Sequence, residues 1–85
     1  MAYFIAQICE RNSDMEYETA VLLQTDDAGD CLDRLASTWR GSPEPFDDEV
    51  QGYWCDGTII STGSCEEIPD SDYAVLSKYL STFKS

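Results

Sequence analysis

The side chains in this sequence that could do chemistry are carboxylates and thiols: 17 Asp and Glu, four Cys, and no His. Without histidine no ordinary side chain changes charge near neutrality to act as a general base or proton shuttle. A cysteine nucleophile needs an activating cation, and no Lys or Arg is adjacent to Cys9, Cys31, Cys55 or Cys65. Their spacing contains no C-x-x-C pair, so a zinc site lacks sequence support. Thiols are favoured over disulfides. Asp47-Asp48-Glu49 could gather a hard cation, but the segment lacks the alternating ligands and central glycine of a calcium loop. There is no glycine-rich phosphate loop and no nucleophile elbow. These residues predict a protein that is not an enzyme, with no catalytic set, cofactor or metal.

The carboxylates remain, and they are unevenly placed. The chain has 85 residues and five bases, giving a formal net charge of −12. Between Asn12 and Asp33 there is no base and there are seven acids; between Gly41 and Ser77 there is again no base, and there are nine. Such a chain repels nucleic acid and anionic membranes, so a partner should be basic. Glu16 and Glu18, two apart on a predicted strand, point the same way about 6.6 Å apart. Asp26, Asp30 and Asp33 recur at helical spacing and form an acidic stripe. DNA presents one negative charge per ~1.7 Å of axis, and spaced carboxylates can imitate part of that array.

The elements that must position these acids follow from periodicity. Ala2 to Cys9 reads as a strand apolar on both faces, hence central rather than at an edge. A turn cluster at Arg11-Asn12-Ser13-Asp14 joins it to a second strand, Met15 to Gln24. Thr25 to Gly41 reads as an amphipathic helix, with Ala28, Cys31, Leu32, Leu35, Ala36 and Trp39 on one face. Thr25 is its expected N-cap and Gly41 its terminator. The segment Ser42 to Glu49, with two prolines, reads as a loop. Val50 to Cys55 and Thr58 to Cys65 form a hairpin about Asp56-Gly57, which sets Cys55 opposite Thr58, Trp54 opposite Ile59 and Tyr53 opposite Ile60. A second helix starts at Ile68-Pro69-Asp70, its apolar face carrying Tyr73, Leu76, Tyr79, Leu80 and Phe83.

The expected fold class is therefore α+β: ββαββα in a single domain over residues 1–85, with a four-stranded antiparallel sheet and two helices on one face. The other sheet face is left partly open to solvent or a partner. No apolar run approaches the ~20 residues of a membrane span. The segment MAYFIAQICER lacks the basic and apolar regions of a secretory leader, so a cytoplasmic location is expected.

Tyr3, Phe4, Tyr53 and Trp54 lie on predicted strands, but with no basic patch beside them they serve the core or a protein contact rather than direct nucleic-acid stacking. Tyr17, Tyr53, Trp54 and Tyr73, near acids, fit aromatic anchors with a charged rim. In size, ββαββα order, E-Y-E-T at Glu16 to Thr19, G-Y-W at Gly52 to Trp54, and E-E-I-P-D-S-D-Y-A-V-L-S-K-Y-L at Glu66 to Leu80, the chain resembles the small acidic anti-defence proteins of phages and mobile elements, of anti-CRISPR or antirestriction type. That resemblance implies a stoichiometric inhibitor that occupies a nucleic-acid-binding surface of a host defence complex, and it carries over no catalytic residue. The expected contact set is Glu16, Glu18, Asp26, Asp27, Asp30, Glu44, Asp47, Asp48 and Glu49, with Tyr53 and Trp54. Two other readings compete. One is a regulatory adaptor that binds protein through an apolar, aromatic sheet surface. The other is an ordinary domain whose acids are a salt adaptation.

Overall fold

The computed structural model describes residues 2–41 and 43–84. Its strands are β1 (Ala2–Asn12), β2 (Met15–Thr25), β3 (Phe46–Asp47), β4 (Gly52–Cys55), β5 (Thr58–Ile68) and β6 (Thr82–Lys84). Helix α1 (Ala28–Ser37) follows β2, and α2 (Asp70–Leu76) follows β5. The strands make one sheet in the order β3-β4-β5-β1-β2-β6. The α+β class stands, but the expected four-stranded antiparallel sheet and ββαββα order need correction. The sheet is six-stranded and mixed, because β6 pairs with β2 in parallel. β3 and β6 escape periodicity because they pair over only two and three residues.

The central position of β1 is as its two apolar faces require, since it pairs with β2 on one side and β5 on the other. The two helices do not share a face. Successive side chains of a strand point to opposite faces. Ala6 and Ile8 of β1 join Val21, Leu23, Tyr53 and Ile60 in a core sealed by Cys31, Leu32 and Ala36 of α1. Tyr3 points the other way, and its ring lies 4.1 Å from that of Tyr73 in α2. Leu22, opposite Ile5, is fully buried on that second face. Each helix therefore covers one of the two apolar faces of β1.

Local chemistry sets the element ends. The N-cap of α1 is Asp27, not Thr25: Asp27 Oδ1 accepts from the Asp30 amide at 3.1 Å. Thr25 is instead the buried last residue of β2, with its Oγ1 accepting from the Asp27 amide at 3.1 Å. The helix also ends earlier than expected, at Ser37 with Thr38 as its C-cap, where the Ser37 and Thr38 hydroxyls both donate back to the Arg34 carbonyl oxygen. Gly41, at φ 108°, is not its terminator but lies in the turn beyond it, its amide donating to the Thr38 carbonyl oxygen at 2.9 Å. Asp56 and Gly57 have φ 49° and 79°, as a type I′ turn demands, and the register about them is the one their sequence implies. In β5 the ladder to β1 slips between Ala6 and Ile8, where Thr62 to Cys65 supply the extra residue beside Gly63. The second helix is shorter than its apolar spacing implies. It stops at Leu76, and the chain turns so that Phe83 enters the sheet and packs against Trp39 at 6.3 Å. The apolar residues at helical spacing thus belong to two elements. Of the expected loop from Ser42 to Glu49, Ser42 lies outside the described residues, and Phe46–Asp47 form β3.

Candidate protein-binding interface

On the face that carries α2, the helix covers the Tyr3 end of the sheet. Toward the β1–β2 turn the same face is open. Ladder register places Trp54 opposite Ile59, Ile59 opposite Arg11, and Arg11 opposite Glu16. This row crosses four strands, about 14 Å at ~4.8 Å per strand. Trp54, Arg11 and Glu16 are exposed and Ile59 is half-buried. Cys9, one step along β1, lies opposite Glu18. Burial, then the charges of Glu18 and Glu16, push its thiol above the ordinary value.

Beyond Trp54 the row ends in acids. Trp54 Nε1 donates to Asp47 Oδ2 at 2.8 Å, while Asp47 Oδ1 accepts from the Glu49 amide at 2.9 Å. One carboxylate thus fixes both the indole and the turn that follows β3. Pro45, Phe46, Asp47, Asp48, Glu49 and Trp54 line a shallow open depression of about 540 Å³. Trp54 is 41% exposed and Phe46 47% exposed. Gly52 lets β4 lie close to β5 here: a Cβ at this position would meet Ile59 Cγ2 at 2.7 Å and the Ile60 carbonyl oxygen at 2.8 Å.

The structure brings together part of the residue set expected from sequence. Glu16, Glu18, Asp47, Asp48, Glu49 and Trp54 border the open half of one sheet face and its β3–β4 edge. Asp26, Asp27 and Asp30 stand at the other end of β2, where α1 begins, about 33 Å along the strand from Glu16 at ~3.3 Å per residue. Asp27 is occupied as the cap, and Asp30 pairs with Arg34 at 2.9 Å. Glu44 lies by Cys55, whose thiol is raised by burial first and then by the charges of Glu44 and Asp56. Tyr53 is a core residue, only 7% exposed, rather than an anchor for a partner. Its hydroxyl donates to Asp33 Oδ1 at 2.6 Å, and burial first, then this bond, push its pKa up to about 12. Strand alternation assigns Tyr53 to the α1 face and Trp54 to the open one, a signal already present in the Asp56-Gly57 register. The place of Arg11 in the row was not legible in the sequence because the row exists only once β1 lies beside β5, and that of Phe46 was not because β3 pairs with β4 over only two residues.

Among the described residues two ion pairs form, Arg34 with Asp30 and Arg40 with Glu10 at 3.6 Å. Glu16, Glu18, Asp48 and Glu49 take part in neither. All four cysteines are free thiols. No group of three or more candidate ligands gathers to hold a metal among the described residues, and no helix there is long and apolar enough to cross a membrane. Comparison with protein-family models, curated proteins and solved structures finds no match.

Proposed function

We propose that this chain is a non-enzymatic inhibitor that docks on a basic protein surface, the nucleic-acid channel of a host defence complex of the kind anti-CRISPR proteins target. The observation that carries this reading is the open half-face: exposed Trp54 and half-buried Ile59 at its centre, Glu16 and Glu18 on one side, and Asp47, Asp48 and Glu49 on the other. Apolar anchors exclude water while rim carboxylates steer a cationic partner into register. Asp26, Asp27 and Asp30 sit at the far end of β2 and so stand outside this surface. The docking surface is accordingly one face.

The second reading, an adaptor held by apolar contact, is favoured by the exposure of Trp54 and Phe46 themselves. Capture of partners from lysate on the immobilised protein, at low and at high salt, separates the two. An acidic inhibitor gives a complex that salt releases, that Asp48→Lys with Glu49→Lys abolishes, and that competes with duplex DNA for the captured protein. A complex that persists in high salt, tolerates both reversals and is lost with Trp54→Ala belongs to the adaptor and overturns the inhibitor reading.

A further inference from the structure

The outer edge of β2 is open over much of its length. In an antiparallel ladder, alternate residues turn their N–H and C=O away from the partner strand. The Leu22 amide does so, donating to the Ser81 carbonyl oxygen at 2.9 Å. The same alternation turns the main-chain groups of Ala20, Glu18 and Glu16 outward. β6 pairs only with Leu22, Leu23 and Gln24, so among the described residues no strand meets the stretch before them. Met15 to Thr19 are exposed on both faces, with Met15 at 56% and Tyr17 at 52%.

We infer that this edge receives an extended segment of a partner by strand addition, and that the segment alternates basic and apolar residues. Main-chain bonds hold such a segment, and side-chain pairs select it. Residues directly opposite each other on adjacent strands share a face. Lys or Arg at alternate positions then stand beside Glu16 and Glu18, with apolar residues between them against Tyr17. A second copy of this chain is excluded by the same charges. Antiparallel self-pairing at this edge sets Glu16 and Glu18 of one copy against those of the other, which is destabilising and is a known protection of exposed edges. The inference rests on the proposed reading for the sign of the partner's charge, and adds its backbone form and sequence pattern.

The test uses the full chain and a short capped peptide of alternating lysine and valine, followed by amide NMR and hydrogen exchange. Strand addition predicts shifts confined to Met15 through Ala20, with the Glu16, Glu18 and Ala20 amides newly protected. It also predicts affinity about tenfold lower for Glu16→Lys with Glu18→Lys, and loss of binding when alternate peptide amides are N-methylated with charge unchanged. Equal binding of the methylated peptide, shifts centred on Asp47 to Trp54, no binding of the peptide, or a dimer that already protects these amides each overturns it. The peptide assay reads Met15 through Ala20 and the lysate capture reads the face about Asp47 to Trp54, so failure here is distinguishable from failure at the β3–β4 edge.

Discussion

The hydroxyl of Tyr53 and Oδ1 of Asp33 meet at 2.6 Å, joining β4 to α1 across the core. The phenol is buried and must donate its proton, so the neutral form is favoured and its pKa rises to about 12. The unfolded phenol ionises near the ordinary value of 10, so the stabilisation is complete below about pH 10 and is lost as pH climbs toward 12. Chemical denaturation across this range should show a steeper loss for the wild type than for Tyr53→Phe. At neutral pH Tyr53→Phe should cost about 1 kcal/mol, the size of one such bond.

Gly52 tests the close approach of β4 to β5. Gly52→Ala places a methyl group within 2.7 Å of Ile59 Cγ2 and 2.8 Å of the Ile60 oxygen, and backbone cannot yield cheaply. A loss of about 1–3 kcal/mol in urea denaturation is expected, typical of overpacking. Because Ile59 stands beside Trp54, the emission of that indole should shift in the folded variant as well.

Asp47 tests the preorganisation of Trp54. Asp47→Ala removes the acceptor of both the indole N–H and the Glu49 amide. At this exposed site global stability should fall by no more than ~1 kcal/mol. The indole should gain mobility, measurable as lower fluorescence anisotropy in Trp39→Phe, where Trp54 is the remaining tryptophan.

Phe83 tests the attachment of β6. It packs against Trp39 and the core beneath α1, opposite Leu23. Phe83→Ala should cost about 2 kcal/mol, less than a fully buried phenylalanine because the side chain is half-buried. Hydrogen exchange at the Leu22 amide should accelerate more than exchange at the amides between β1 and β5.

The thiols test the field of the carboxylates. Burial, then Glu18 and Glu16, raise Cys9; burial and, for its smaller part, Cys31 raise Cys65. A raised pKa leaves less thiolate at neutral pH and slows alkylation. Iodoacetamide labelling followed by mass spectrometry should proceed more slowly than for free cysteine. Glu16→Gln with Glu18→Gln should speed labelling at Cys9 and leave Cys65 unchanged.

Signals confined to a few neighbouring residues were legible. Asp56-Gly57 set a turn and three cross-strand pairs at once, whereas Gly41 misled about the end of α1, which stops at Ser37 before the turn that holds the glycine. Less legible was whatever depended on distant segments. Phe83 fits a helical spacing from Tyr73, yet the unpaired edge at Leu22 and the Trp39 ring draw it into a strand. The two apolar faces of β1 were visible in Tyr3 to Cys9, but which helix covers which face is set by chain path and not by either helix alone. The acids were all visible in sequence. Their division between the open face and the start of α1 required knowing that β2 runs unbroken from Met15 to Thr25 and holds them apart.

The pairing of Tyr3 with Ile68 has a kinetic side. The middle strand of the sheet acquires its second neighbour from a segment 65 positions away, the difference between 68 and 3. Such remote pairings slow folding relative to helical bundles of equal size. Until β5 arrives, β1 offers a bare hydrogen-bonding margin and two greasy surfaces, so a nascent or truncated chain lacking that strand is a natural client for a chaperone and a seed for aggregation.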